Sequence, residues 1–156
     1  MAKRKKETEE EQEARWAREE EEERQEKLIN QQVLDDLFAK NADVVNDSDY
    51  PNCGYVYFLE CDDHIKIGKG KDVRVRIKDM QTGNPNPIEL RDAIFCEDMH
   101  IVERLLHLFF EDHKKNGEWH HVGSEDVAKV AKEFREWAER IADTIENIFG
   151  NYTKQE

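Results

Sequence analysis

The stretch Gly54-Tyr55-Val56-Tyr57-Phe58-Leu59-Glu60-Cys61-Asp62-Asp63-His64-Ile65-Lys66-Ile67-Gly68-Lys69-Gly70 decides the fold. Two runs of aromatic and β-branched residues flank the turn-forming pair Asp62-Asp63, the pattern of a two-strand hairpin. With that pair at the tip, Leu59 falls opposite Lys66 and Tyr57 opposite Gly68. Successive side chains of a strand point to opposite faces. Val56, Phe58, Ile65 and Ile67 therefore form one apolar face, and Tyr55, Tyr57 and Lys66 share the other with Gly68. A purely structural hairpin has no need of phenols, an ammonium and glycine on one face. Glycine inside a strand often marks the close approach of another group.

The period changes after Gly70. Val73, Ile77 and Met80 recur at helical spacing behind Asp72, a good N-cap, which predicts a short helix. From Lys66 to Lys78 there are six basic residues, Lys66, Lys69, Lys71, Arg74, Arg76 and Lys78, against Asp72 alone. In a chain of net charge −13 this is a local reversal of sign, and it lies beside the tyrosine face. We expect a groove for a phosphate backbone there, with Tyr55, Lys69, Lys71, Arg74 and Lys78 as nucleic-acid contacts. The competing reading is a solvated helix face that balances the acidic remainder.

These residues resemble the GIY-YIG nuclease superfamily. Val56-Tyr57 is similar to the end of its first motif, and Lys66-Ile67-Gly68 to its second with lysine in place of tyrosine. Arg76 stands eight residues after Gly68, and Glu103 lies in Val102-Glu103-Arg104-Leu105-Leu106-His107, matching the family's arginine and its metal-binding glutamate. The lysine, the Glu-x-x-x-His spacing and Gly117-Glu118-Trp119 resemble the phage-type DNA-binding branch, similar also to a fungal meiotically regulated group. The resemblance covers roughly residues 53–123, and the order and spacing of the motifs carry it.

The resemblance implies an α+β domain with a small three-stranded antiparallel sheet flanked by helices. It also implies divalent-metal-dependent endonucleolytic cleavage of DNA. Tyr57 would be the base or orienter of the attacking water, Arg76 would hold the scissile phosphate, and Glu103 would bind one hard cation such as Mg2+. Lys66 would either support the Tyr57 phenol or meet DNA phosphate. An asparagine is implied downstream of the glutamate helix, a position for which Asn116 and Glu118 compete. Gly68, His107 and Asn116 are the expected supporting residues. This reading requires Tyr57, Lys66, Arg76 and Glu103 to meet in one open cleft.

The residues themselves extend the picture. After the turn-rich Gly83-Asn84-Pro85-Asn86-Pro87, Ile88–Cys96 reads as a third strand. Asp98 caps a helix whose expected buried stripe is Val102, Leu105, Leu106, Phe109 and Phe110, with Glu103 and His107 on a neighbouring edge. Ser124 opens a C-terminal amphipathic helix over 124–150, with Val127, Val130, Ala131, Phe134, Trp137, Ala138, Ile141, Ile145 and Ile148 at helical spacing and Gly150 as its stop. Residues 1–40 form a charged helical arm, with few apolar residues up to Lys27 and then a stripe of Leu28, Ile29, Val33, Leu34, Leu37 and Phe38, suited to docking on the domain, self-association or a protein partner. Residues 41–51 read as an acidic linker and 52–123 as the nuclease-like domain. Lys3–Lys6 is a basic cluster at the terminus.

Composition bounds the function classes. A chain of 156 residues allows one compact domain with arms. Its acidic total leaves nucleic-acid contact to the local patch, with long-range repulsion screened beyond roughly 8 Å at physiological salt. No run of eighteen apolar residues occurs, so no transmembrane helix is expected. Three cysteines, Cys53, Cys61 and Cys96, make no close pair and accompany no secretory leader, so a cytoplasmic setting is expected, the host's if the protein is viral. Cys61-x-x-His64 and Cys96-x-x-x-His100 offer an alternative zinc set. Beside the endonuclease stand two other classes: a noncatalytic DNA-binding module of the same fold, and a protein-interaction module led by the acidic arm. RNA is not excluded as substrate.

Overall fold

The computed structural model describes residues 8–149, with the side chains of 124, 138, 139 and 141–149 outside the description. The chain divides into two compact units, residues 1–39 and 40–156. From Glu9 onward the first unit is helical, part of helix α1, Glu9–Asn46. A reciprocal cap starts it: the Thr8 amide donates to the Glu11 carboxylate and the Glu11 amide to the Thr8 hydroxyl. Pairs one turn apart then line it, among them Arg15–Glu19, Arg24–Glu21 and Lys27–Glu23. Each exposed pair contributes only about 0.2–0.5 kcal/mol, so the helix depends on many of them. Helix α1 runs six residues into the span expected to be linker, because no glycine or proline interrupts it before Pro51 and Val45 is buried.

The second unit is built on an antiparallel sheet. Strand β1 is Gly54–Cys61, β2 His64–Gly70 and β3 Glu89–Cys96. Two short strands, β4 (Lys114–Asn116) and β5 (Trp119–His120), raise the number from the expected three to five, in the order β3-β1-β2-β5-β4. The hairpin register is the expected one, with Leu59 opposite Lys66 and Tyr57 opposite Gly68. Asp62 adopts φ +55 at its tip, a left-handed conformation that aspartate tolerates, and Asn86 donates to its carboxylate.

Helix α2 (Val73–Thr82) is capped by Asp72, whose carboxylate accepts from the Val75 amide, and α3 (Met99–Phe109) by Asp98. Gln81 then ties the proline-rich loop, donating to the Asn84 and Asn86 carbonyls and accepting from the Ile88 amide. Helix α4 spans Ser124–Phe149.

The core lies on one face of the sheet. Val56, Phe58, Ile65, Ile67, Ile94 and Cys96 meet Met99 and Leu106 from α3, Phe110 just past its end, and Val127, Val130 and Ala131 from α4. Each of the valine, leucine, isoleucine, phenylalanine and methionine side chains among them contributes on the order of 1.5–3 kcal/mol by leaving water. The buried stripe of α3 is rotated from expectation: Leu105 and Phe109 are exposed, whereas Met99, Glu103 and Leu106 are buried. The α4 stripe holds for Val127, Val130 and Ala131, with Phe134 partly buried and Trp137 exposed. Arg135 anchors this helix to the Asp92 carboxylate on β3. Lys3–Lys6 and Gly150, and the side chains of Ala138, Ile141, Ile145 and Ile148, lie outside the described residues.

All three cysteines are free and buried, and burial pushes the Cys96 thiol up to about 12. Cys61 and Cys96 cannot share a zinc ion. Cys96 pairs with Gly54 and Cys61 with His64, so they mark opposite ends of β1, about 23 Å apart at strand rise. No helix among the described residues is long and apolar enough to cross a membrane.

Candidate functional site

Short β5 leaves part of β2 open. It pairs only with Ile65 and Lys66, so among the described residues Gly68, Lys69 and Gly70 have no strand beside them on that side. Around this edge, side chains from both faces of β2 reach one another.

On the first face lies Tyr57. An added Cβ at Gly68 would come within 2.6–2.7 Å of its hydroxyl and ring carbons, so the phenol ring lies flat over the glycine. The absent side chain makes the room for it. Arg76 of α2 packs beside it, with its Cγ 3.6 Å from the Cβ position of Gly70. The hydrogen bond that Arg76 donates to the Tyr57 phenol oxygen, then the phenol's charge, raises the guanidinium above its ordinary value. The tyrosine face is therefore closed. Tyr57 is 1% exposed and Tyr55 3%, the latter packed edge-on to Phe95. Neither meets solvent, contrary to the open cleft expected: Gly68 and Gly70 admit the Tyr57 ring onto the sheet with Arg76 of α2 beside it, and Tyr55 packs against Phe95.

On the other face, Glu103 is the charged member of the buried α3 stripe. Its carboxylate pairs with Lys69 of β2 through Oε2, and its Oε1 stands 3.9 Å from His107 Nε2. Lys66 does not turn to Tyr57; its ammonium pairs with Glu118 and lies 5.8 Å from the Trp119 ring centroid. Glu118 closes the gap between the faces. One ligating atom each from Glu103, His107 and Glu118 lie within 4.8 Å of one another, and the Glu118 charge also reaches Arg76.

The backbone fixes Glu118 in place. Gly117 takes φ +58, the left-handed region that favours glycine, and turns the chain from β4 into β5. The Glu118 carbonyl then accepts from the Ile67 amide at 3.1 Å and bonds His120 Nδ1 at 3.1 Å. Burial pushes the Glu118 carboxyl up, but the Lys66 hydrogen bond and charge, with His107 and Lys69, bring it below its ordinary value. His120 is fully buried beside His107, ring centroids 5.2 Å apart, and burial, then the His107 charge, depresses it.

The remaining expected residues scatter around this edge. Arg74 and Lys78 are exposed on α2, and Lys71 donates to the Tyr50 carbonyl at 3.4 Å. Asn116 lies exposed on β4, and the neighbouring position that enters the cluster is Glu118. The Gly117-Glu118-Trp119 triplet was the available signal for it, but only the β2–β5 register shows where the carboxylate points.

Fold and edge together define a GIY-YIG-like domain. The model of the T5orf172 domain matches residues 54–139, more than half of the chain, and the chain belongs to that family, a phage-type branch of the GIY-YIG-like nuclease and DNA-binding superfamily. No curated protein and no solved structure matches it.

Proposed function

We propose that this domain hydrolyses DNA phosphodiester bonds at the open edge of β2 with the help of a divalent cation. The observation that supports it is the meeting of Lys66 and Lys69 with Glu103, His107 and Glu118, with Arg76 near enough to feel the Glu118 charge. The three cations stand against these two carboxylates and Asp79 near Arg76, so a bound divalent cation is what would make the edge net positive for a phosphate.

The donor set fits a hard divalent ion. Each carboxylate gives one oxygen to a lysine, and the Oε1 of Glu103 has only His107 Nε2 within 4 Å among the described ion pairs. Glu103 and Glu118 would hold the ion, which when bound supplies positive charge to the phosphate oxygens and to water. Arg76, exposed at the end of the Tyr57 hydrogen bond, clamps a non-bridging oxygen. With Tyr57 sealed, it serves as a positioning residue for Arg76 and not as the base. His107, partly exposed beside Glu103, accepts the proton from water. Arg74 and Lys78 carry the flanking backbone.

A second reading is a noncatalytic DNA-binding module. Its support is that both carboxylates already pair with lysines and that Tyr57 is closed off. Cleavage of supercoiled plasmid in Mg2+, with His107→Gln and Glu118→Gln beside the unaltered chain, separates the two. Metal-dependent nicking lost in both variants supports hydrolysis; salt-sensitive binding with no nicking in any metal replaces it with the second reading.

A further inference from the structure

A second cluster lies at the hairpin tip, apart from the edge described above. Asp63, His64 and His121 each offer one ligating atom, and these lie within 4.8 Å of one another. The Asp63 carboxylate takes His64 Nδ1 on one oxygen at 2.8 Å and His121 Nδ1 on the other at 3.6 Å. The two imidazole rings stand edge to face with centroids 5.6 Å apart. We propose that this is a site for a first-row transition-metal ion of the zinc type, bound by Asp63, His64 and His121 with a fourth position left to water.

The donor chemistry selects the ion. Two imidazoles and a carboxylate suit Zn2+, Co2+ or Ni2+, whereas Mg2+ takes oxygen ligands and keeps its waters. Zinc–ligand bonds of about 2.0–2.2 Å place neighbouring ligand atoms of a tetrahedron roughly 3.3–3.5 Å apart. The 2.8 and 3.6 Å carboxylate–imidazole separations bracket that spacing and all three ligating atoms lie within 4.8 Å of one another, so small rotamer changes complete it. The backbone prepares the site as well. Asp62 takes the left-handed turn position and is held by Asn86, which leaves Asp63 free to face the two histidines.

The site has a structural consequence. Strand β5 is two residues long, and His121 follows it directly, with its amide on the His113 carbonyl at 2.8 Å. A metal that joins His121 to the hairpin clamps β5 to β2 and so steadies Glu118, three residues upstream. The proposal stands whether or not the domain cuts DNA.

The test is Zn2+ and Co2+ binding to the full chain by calorimetry and by the visible d–d absorption of bound Co2+, after treatment with chelator. His64→Ala and His121→Ala should each weaken binding at least about tenfold, since even the outer partners of metal ligands carry that much. His121→Cys, which keeps a zinc ligand, should retain binding and shift the Co2+ spectrum toward thiolate. Glu103→Gln with His107→Gln serves as the control for the other cluster and should leave this affinity unchanged. Zn2+ should raise Tm in the unaltered chain and not in His121→Ala. Unchanged affinity in both histidine variants, or affinity lost only in the Glu103/His107 variant, overturns the proposal.

Discussion

Gly68→Ala probes the contact that closes the tyrosine face. The new methyl would lie 2.6 Å from the Tyr57 hydroxyl and 2.7 Å from two ring carbons, closer than carbon atoms pack. The ring is rigid and 1% exposed, so it has little room to step aside. Such overpacking costs about 1–3 kcal/mol, and at this chain length lowers Tm by roughly 2–12 °C. Gly70→Ala is the matched control. Its methyl would find Arg76 Cγ at 3.6 Å and Tyr57 Cε1 at 3.9 Å, ordinary contacts, so it should be neutral or stabilise by about 0.4–1 kcal/mol. Urea denaturation of both variants, and of Gly68→Ala in a Tyr57→Leu background, completes the comparison. The penalty should shrink in that background, because the clash is with the phenol. Equal stability of the two alanine variants, or a penalty that persists without the ring, would refute the account of this face.

Other consequences can be measured in the same protein. Glu103→Ala strands Lys69 at the rim; that side chain is 30% exposed, so the loss should be about 1–2 kcal/mol and not the 3–5 of a fully buried pair, and Lys69→Met in the same chain should recover part of it in denaturant titrations. His120 is depressed in the fold, so the unfolded chain binds its proton first; in chelator, stability should be flat above pH about 6.5 and fall as pH drops below it, with the slope reduced in His120→Leu. Glu118 is also depressed, and its contribution is present above pH about 4.5 and lost at lower pH, a separate step that Lys66→Met should remove. DNA affinity should fall with salt at a log–log slope of about −3 if Arg74, Arg76 and Lys78 each neutralise one phosphate, and Lys78→Ala should flatten it by about 1.

What the sequence revealed follows from what local chemistry can dictate. The turn pair Asp62-Asp63 set the hairpin register, and Asp72 and Asp98 marked both helix starts, because caps and two-residue turns are decided by neighbours in the chain. Alternation placed Tyr57 on the right face but could not say what covers it. That depends on Gly68 and Gly70 admitting the ring and on Arg76 of α2 packing beside it. Strands β4 and β5 escaped notice since Lys114-Lys115-Asn116 is exposed and polar, and two residues of β5 carry no period. Glu103 shows the same limit from the other side. Its helix was legible, but the rotation of the stripe that buries it was fixed by Met99 and Leu106 meeting the sheet.

Cleavage of a labelled DNA duplex under single-turnover conditions in Mg2+ tests the central claim most directly, with Arg76→Ala and Glu103→Gln beside the unaltered chain. Removing one charge-stabilising donor from such a site costs about 100–1,000-fold in rate. We predict losses of that size in both variants, with DNA still bound by Glu103→Gln. Cleavage at the unaltered rate in either variant, or none by the unaltered chain in any divalent metal, would contradict a hydrolytic centre at the edge of β2.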